Sequence, residues 1–383
     1  MTGTSAKPKM LTGVSYGLTA LMLTGTYAVC TCAVTGIGTA GVLACTLICL
    51  LCSLGAKNTV LAPDAFLLVP VIFALGKAGA FELFLSVLIG AIIFLIISHF
   101  IKCKKIPDCV IAGASLGLAL SATVLITNDY FGIGAFGATA FDMLKAYRSL
   151  GFHPHFRGLL YGTITLFLMI TYPFKCKKLS KIIPQEFITL VIPTVLNLFL
   201  NPDRALTTVN EAAAFSPESC RTLSLAAQQF DGGISVLTVL EGAFTVALIL
   251  TAYTSAEKKD NFRLFAGNVC CSAVTGLPVR QFEVRGYSVI SAITAGAGAI
   301  LIFGVFPQSI SRVPLHSVGA LLIVSCWQNV PYRLLASSFK EKSALDIIAV
   351  LVTAACFVIL RPSAALLVCL AFFAAVKVVR RGK

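Results

Sequence analysis

The chain has 383 residues, of which 57% are hydrophobic and only 12% charged, with a formal net charge of +14 and a mean hydropathy of +0.92. Soluble domains carry about 25% charged residues, so this chain lacks the polar side chains that the surface of a soluble enzyme, a nucleic-acid binder or a disordered scaffold requires. We therefore expect an all-α polytopic membrane protein.

Apolar stretches of about 20 residues, the length of a bilayer-spanning helix, recur along the chain. A polar segment at 135–156, with Lys145, Arg148, His153 and His155, is too polar to span and is interpreted as an amphipathic or re-entrant element. Fourteen spans are predicted, at 11–34, 36–54, 62–76, 81–101, 108–127, 157–174, 184–201, 232–255, 262–277, 281–292, 294–309, 314–330, 344–360 and 363–379.

Basic residues lie in short clusters between these spans. If the N-terminus is inside and the spans alternate, 20 of the 30 Lys and Arg residues fall on one side, as the positive-inside rule expects of cytoplasmic loops. This asymmetry predicts a multi-pass membrane protein with both termini cytoplasmic. Because the basic residues lie between apolar spans, we expect the partner of this chain to be the lipid bilayer and not a nucleic acid.

Fourteen spans divide into two halves of seven, and an odd number per half makes the second half an inverted repeat of the first. The predicted halves are 1–205 and 232–383, joined by an extracytoplasmic loop at 206–231. Their third elements begin near Pro63 and Pro278. Short, Pro-interrupted segments at corresponding positions indicate a transporter site, because a helix that begins in mid-membrane presents unpaired N–H groups to an anion. Ordinary proline kinks are the alternative.

Ionisable residues inside predicted spans are functional candidates. Arg285 is the first choice, as a fixed cation for an oxyanion or halide. Glu241 is the candidate coupling residue, either by carrying a proton or by ligating Na⁺ together with Thr238. The alternatives are an ion pair between Arg285 and Glu283 or Glu241, and for Asp64 a role as partner of a helix dipole.

No enzyme constellation is found. Cys49 and Cys52 have a C-x-x-C spacing, but no His or acidic residue lies near them in sequence, so packed thiols are expected. His153 and His155 have no further ligand at metal spacing. We expect no metal and no cofactor, apart from H⁺ or Na⁺ as a coupling ion.

Several motifs resemble, in order along the chain, those of the sulfate permease (SulP) anion transporters, the family of prestin and pendrin. The longest is FAGNVCCSAVTGLPV at 265–279, followed by Arg285, which resembles GxxN…GGxPVTGxxxRT. The others are GIGTAG at 36–41, APDA at 62–65, the Ile106–Gly113 segment, IPQEF at 183–187 and PLHSVGALLI at 314–323.

The resemblance implies core and gate domains built from the two inverted repeats. It implies short half-helices at segments three and ten, with the anion bound between their N-termini and moved by elevator-type alternating access. The family's usual Pro on helix one is Met22 here, and the Thr after its Arg is Gly286. No cytoplasmic STAS domain follows the last span, which favours a bacterial inner membrane. The implied site comprises Tyr27, Pro63, Asp64, Ala65, Phe282, Glu283, Val284 and Arg285, with Glu241 on helix eight.

The leading hypothesis is a secondary active transporter of a small inorganic or carboxylate anion, of the sulfate, bicarbonate, chloride or dicarboxylate class. It would be coupled to H⁺ or Na⁺ or work as an exchanger. A nucleobase–cation symporter of the same fold is the alternative, because Asp64, Glu241 and Glu283 suit neutral ring substrates. An uncoupled anion channel and a non-transporting scaffold also remain open, as does a homodimer.

Overall fold

The structure is a computed structural model of the chain. It describes residues 6–35, 38–56, 58–64, 66–68, 80–100, 108–133, 135, 137, 139–151, 153–201, 235–256, 261–284, 286–340, 344–361, 364–365, 367–369 and 371–372. The predicted connecting loop at 206–231 lies outside these ranges, and the boundaries of the two predicted halves stay a prediction.

Helices account for most of the described residues. One of them, which ends at Ala299, continues as wider, π-helical turns over Ile300–Val305. In chain order the helices are α1 Ala6–Thr35, α2 Thr39–Cys52, α3 Ala80–Phe100, α4 Asp108–Phe131, α5 Ala140–Leu150, α6 Phe156–Lys175, α7 Gln185–Leu200, α8 Val236–Ala256, α9 Asn261–Thr275, α10 Val289–Ala299, α11 Leu315–Gln328, α12 Tyr332–Lys340 and α13 Ala344–Ile359.

Two of the described helical segments, Leu11–Ala33 and Cys109–Phe131, are long and apolar enough to cross a membrane, and seven shorter ones are apolar over 10–17 residues. The outer surface is also apolar: Phe156 and Phe199 are each 79% exposed. A soluble protein rarely exposes large apolar areas of this kind. The number of fourteen spans stays a prediction, because candidate spans such as 363–379 extend beyond the described residues.

Small residues bring the helices together. α1 packs on α10, α3 on α8, and α4 on both α11 and α13. A Cβ added at Gly17 of α1 would lie 2.6 Å from the carbonyl oxygen of Ser291, and one added at Gly90 of α3 would lie 2.7 Å from that of Ala243. Helix packing through small residues, without a hydrophobic driving force between helices, is typical of membrane proteins.

Two predicted spans begin in short strands rather than in helix. β1, Thr59–Pro63, overlaps the predicted span 62–76, and β2, Val279–Glu283, overlaps the predicted span 281–292. Helix resumes only at Val289 and runs on to Val305 without the predicted break near 293. The all-α prediction therefore holds for the described residues except for this two-stranded sheet.

The polar segment at 135–156 contains the amphipathic helix that its composition predicted. Met143 of α5 is buried, whereas Lys145 and Arg148 are exposed. The helix begins after Thr139, whose hydroxyl accepts a hydrogen bond from the backbone N–H of Asp142. A Thr in this position supplies a standard N-terminal cap.

Candidate functional site

The strands β1 and β2 pair antiparallel in the interior of the helical body. Leu61 lies opposite Gln281, and Ala62 lies opposite Arg280. The ladder continues beyond the strands, since the N–H of Val284 donates to the carbonyl oxygen of Asn58 at 2.9 Å. Extended backbone buried away from water must find internal hydrogen-bond partners. Each strand supplies those partners for the other.

The outer edge of β2 is closed by a side chain of α9. The amide of Asn268 donates to the carbonyl oxygen of Val279 at 3.0 Å, and its oxygen accepts from the N–H of Val279 at 3.0 Å. Asn268 is fully buried. It belongs to the Gly-Asn pair of the longest sequence motif. Its side chain forms the two backbone hydrogen bonds that a third strand would otherwise form with this edge of β2.

We expect Asn268→Leu to destabilise the protein. Leucine has a similar size but no polar atoms, so both buried groups of Val279 lose their partner, at about 1–3 kcal/mol each. The measurement is the thermal unfolding midpoint in detergent, which should fall clearly below that of wild type. Asn261→Leu, at the first residue of the same helix, is the matched control and should change the midpoint little. Equal midpoints for the two variants would contradict this role.

Arg280 places a buried cation at the strand pair. Its side chain is 8% exposed, and its Nε lies 3.5 Å from Oδ2 of Asp64, whose side chain is 1% exposed. One terminal nitrogen donates to Oδ1 of Asn329 at 2.6 Å. The guanidinium also lies over the ring of Phe282, 4.7 Å from its centre. A buried charge is tolerated when it is paired and hydrogen-bonded in this way.

Asp64 has a second role at the start of a helix. Its Oδ1 accepts from the N–H of Phe66 at 3.3 Å, and its carbonyl oxygen accepts from the N–H of Leu68 at 3.0 Å. Asp64 is therefore the N-cap of the helical residues 66–68, where a carboxylate also interacts favourably with the helix dipole. The positive end of this helix is already faced by an anionic group of the protein itself.

Two aromatic rings join the strand pair to α1 and α11. Tyr27 of α1 stacks on Phe282, with ring centres 4.8 Å apart and an angle of 29° between the planes. The hydroxyl of Tyr27 lies 3.2 Å from that of Ser325 on α11. The carbonyl oxygen of Ser325 accepts from the amide of Asn329, which also holds Arg280. We call Tyr27, Asp64, Arg280, Phe282 and Asn329 the strand cluster.

A cavity of about 860 Å³ reaches the strand cluster from one side of the molecule. Phe282 is the member of the strand cluster that lines the cavity, and the guanidinium of Arg280 lies over its ring. The walls come from α1, from the segment that leads into α7 and from the end of β2, and they are Thr12, Ser15, Tyr16, Thr19, Leu23, Pro173, Ser180, Ile182, Pro184, Gln185, Glu186, Phe282, Glu283 and Val284.

Known structures resemble this architecture over nearly the whole chain. SLC26A9 superposes with a TM-score of 0.69 at 14% identity, covering 98% of this chain and 66% of that one. The transmembrane domain of BicA, a cyanobacterial bicarbonate transporter, gives 0.64 at 15% identity, covering 93% of this chain and 97% of that one. Murine Slc26a9, an anion transporter in the inward-facing state, gives 0.65 at 14% identity, covering 99% and 69%.

The chain has the fold shared by SLC26A9 and BicA. It spans about two thirds of the SLC26A9 chain. No family model matches the sequence, and no curated protein matches it significantly. The resemblance to sulfate permeases is confirmed at the level of the fold. In this SLC26-type fold the strand cluster lies where the two predicted third elements meet.

The structure brings together half of the predicted substrate residues. Tyr27, Asp64 and Phe282 belong to the strand cluster, and Pro63 ends β1 beside them. Two others line or border the cavity: Glu283 is exposed there, whereas Val284 is buried. The predicted residues Ala65 and Arg285 lie outside the described part of the chain.

The predicted coupling residues have partners of their own on or near α8. An oxygen of Glu241 lies 3.3 Å from a guanidinium nitrogen of Arg361, so its charge is paired. The hydroxyl of Thr238 lies 2.8 Å from that of Ser235. The alternative pairing of Glu241 with Arg285 lies outside the described residues, and a coupling role for Glu241 and Thr238 stays a prediction.

Arg280 and Asn329 are the members of the strand cluster that sequence reasoning missed. The motif match drew attention to Arg285, because the family's arginine aligns there. A signal was nevertheless present: Arg280 follows a proline closely in an apolar context, as Asp64 does in the other half. The two residues carry opposite charges at comparable positions, which is a pattern that suggests a pair.

Proposed function

We propose that the chain is a membrane-embedded secondary active transporter of a small anion, a member of the sulfate permease family. The observation that carries the proposal is the buried guanidinium of Arg280, which lies over the ring of Phe282, a residue that lines a cavity. A fixed cation in a low-dielectric interior attracts an anion far more strongly than one in water does. The printed descriptions of BicA as a bicarbonate transporter and of murine Slc26a9 as an anion transporter support this choice.

The carboxylate of Asp64, the counter-ion of Arg280, determines under which conditions such an anion can bind. Asp64 already neutralises Arg280 and caps the helix that follows β1. A second anion beside the same cation is favourable only when the carboxylate takes up a proton or moves away, because like charges repel strongly there. We therefore assign proton coupling to Asp64, so that one anion and one proton occupy the site together. Glu241 with Thr238 remains the second candidate, for H⁺ or Na⁺.

We propose elevator-type alternating access. The strands hold each other, so β1 and β2 move as one body together with the helices that pack on them. The cavity reaches the strand cluster from the side of the segment 180–186. An elevator-type displacement of this body against the rest of the protein would expose Arg280 to the opposite side. We place the protein in the plasma membrane, as in a bacterial inner membrane, with both termini cytoplasmic.

A nucleobase–cation symporter is the second candidate function. Two aromatic residues, Tyr16 and Phe282, line the cavity, and aromatic side chains can stack on flat rings. Glu283 and Glu186 in the cavity wall could accept hydrogen bonds from ring N–H groups. Uracil therefore belongs in every ligand panel, beside the anions.

The test is a thermal-shift screen of purified protein, followed by uptake into proteoliposomes. The panel is sulfate, bicarbonate, chloride, nitrate, fumarate and uracil at pH 5.5 and 7.5, with and without Na⁺. A ligand that binds only the folded state raises the unfolding midpoint by mass action. We expect one anion class to stabilise the protein and to be taken up with saturation. Stabilisation by uracil alone would favour the symporter, flux without saturation a channel, and no effect of any ligand a non-transporting scaffold.

A further inference from the structure

Three cysteine side chains converge where α2 crosses α9. Cys45 and Cys49 are four residues apart and so lie on the same face of α2, and Cys271 of α9 faces them. Sγ of Cys271 lies 3.6 Å from that of Cys49 and 4.0 Å from that of Cys45. All three residues are fully buried, with exposed fractions of 0%. Cys52, the other half of the C-x-x-C spacing, does not belong to this group.

The sulfur triangle has the dimensions of a three-coordinate metal centre. Metal–thiolate bonds of about 2.3 Å in a trigonal plane place the sulfurs about 4.0 Å apart. All three Sγ atoms lie within 4.8 Å of one another, so a central ion would need little movement of either helix. Within the described ranges, this is the one group of three or more metal-ligating side chains whose ligand atoms converge in this way.

The ligand set selects the kind of ion. Soft thiolates favour Cu(I), whereas structural Zn²⁺ sites take four protein ligands, and the described group offers three. We propose that Cys45, Cys49 and Cys271 form a buried binding site for one soft monovalent ion of the Cu(I) type. Binding exchanges S–H bonds for S–metal bonds and releases the protons to solvent. The site is independent of anion transport.

The position of the site gives it a structural consequence. Cys271 follows Asn268 by three residues on α9, so the metal would fix the helix that clamps β2. α2 lies on the chain just before β1. A bound metal would link α2 to α9 beside the two strands. It would therefore raise the stability of the folded protein.

The experiment uses the reduced full-length protein in detergent under anaerobic conditions. Cu(I) is offered in competition with bicinchoninate, and bound copper is counted by elemental analysis after desalting. We expect one tightly held Cu(I) per chain that is absent from Cys271→Ser, a thiolate–copper absorption band in the near ultraviolet, and a higher unfolding midpoint of the loaded wild type. Cys326→Ser, which removes an equally buried thiol on α11, is the matched control and should keep the ion.

Cys45→Ser is a second ligand variant, which keeps the proposal testable if Cys271→Ser does not fold. Equal copper in wild type and in the folded ligand variants would overturn the proposal. So would a wild-type chain that binds no copper when reduced but forms a Cys49–Cys271 disulfide on air oxidation, because the group would then be a redox pair.

Discussion

Replacing Arg280 by Gln is expected to abolish both the stabilisation by the preferred anion and its uptake, by at least about 100-fold, since a desolvated charge pair of this kind is worth several kcal/mol. The variant removes the buried cation and leaves Asp64 without its nearest counter-charge. Breaking a buried pair from one side costs about 3–5 kcal/mol, so the unfolding midpoint of the variant should fall as well. Uptake into proteoliposomes and the thermal midpoint are the two measurements.

The double variant Arg280→Gln/Asp64→Asn separates folding from function. It removes both charges, and replacing a buried pair completely is often neutral for stability. Asn is as good an N-cap as Asp, so the helix after β1 keeps its cap. We expect the double variant to recover most of the lost midpoint and still to transport nothing. Recovery of uptake along with stability would mean that Arg280 is only a structural residue and that the site lies elsewhere.

Long helices could be predicted because hydropathy alone specifies them. The predicted spans 11–34 and 314–330 correspond to α1, Ala6–Thr35, and α11, Leu315–Gln328. The strands could not, since five residues are too few for a periodic signal to distinguish strand from helix. Their partner segments are more than 200 residues apart, and that pairing exists only in the folded chain.

The same limit explains which site residues were found. Tyr27, Asp64 and Phe282 were reached through the resemblance, which implies a site built from helix one and from the two third elements. Arg280 was missed because its importance depends on register: Ala62 lies opposite it, and this places its guanidinium beside Asp64, the residue that follows β1. The cysteine triangle was missed for a related reason, since Cys271 is 222 residues from Cys49.

In the proposed transport cycle, the charges of Arg280 and Asp64 offset each other before the anion binds. An open pocket with a bare cation would hold an anion tightly and release it slowly. Here the carboxylate of Asp64 competes for the same cation, so the affinity is reduced and release becomes easier. The competitor also makes binding depend on protons, because protonation of Asp64 removes its negative charge. In this proposal the ion pair of Arg280 and Asp64 explains both why anion binding depends on protons and why the anion is released easily.

Asp64→Asn is the variant that tests this competition. We expect it to bind the preferred anion at least about tenfold more tightly than wild type, equivalent to 1.4 kcal/mol, because the carboxylate of Asp64 then no longer competes for Arg280. The cap on the helical residues 66–68 is retained. The anion-free variant should unfold at a lower temperature than wild type, since Arg280 is left uncompensated, and the anion should raise its midpoint more.

The pH dependence gives the sharper measurement. In wild type the anion binds together with a proton, so by linkage its affinity should rise as the pH falls, approaching roughly tenfold per pH unit for one proton per anion. In Asp64→Asn this dependence should disappear while tight binding persists at all pH values tested. Glu283→Gln, which neutralises an exposed acid in the cavity wall, is the matched control and should keep the wild-type slope. If Asp64→Asn retained that slope and Glu241→Gln lost it, the proton would be carried on α8, and Asp64 would be only the fixed partner of Arg280.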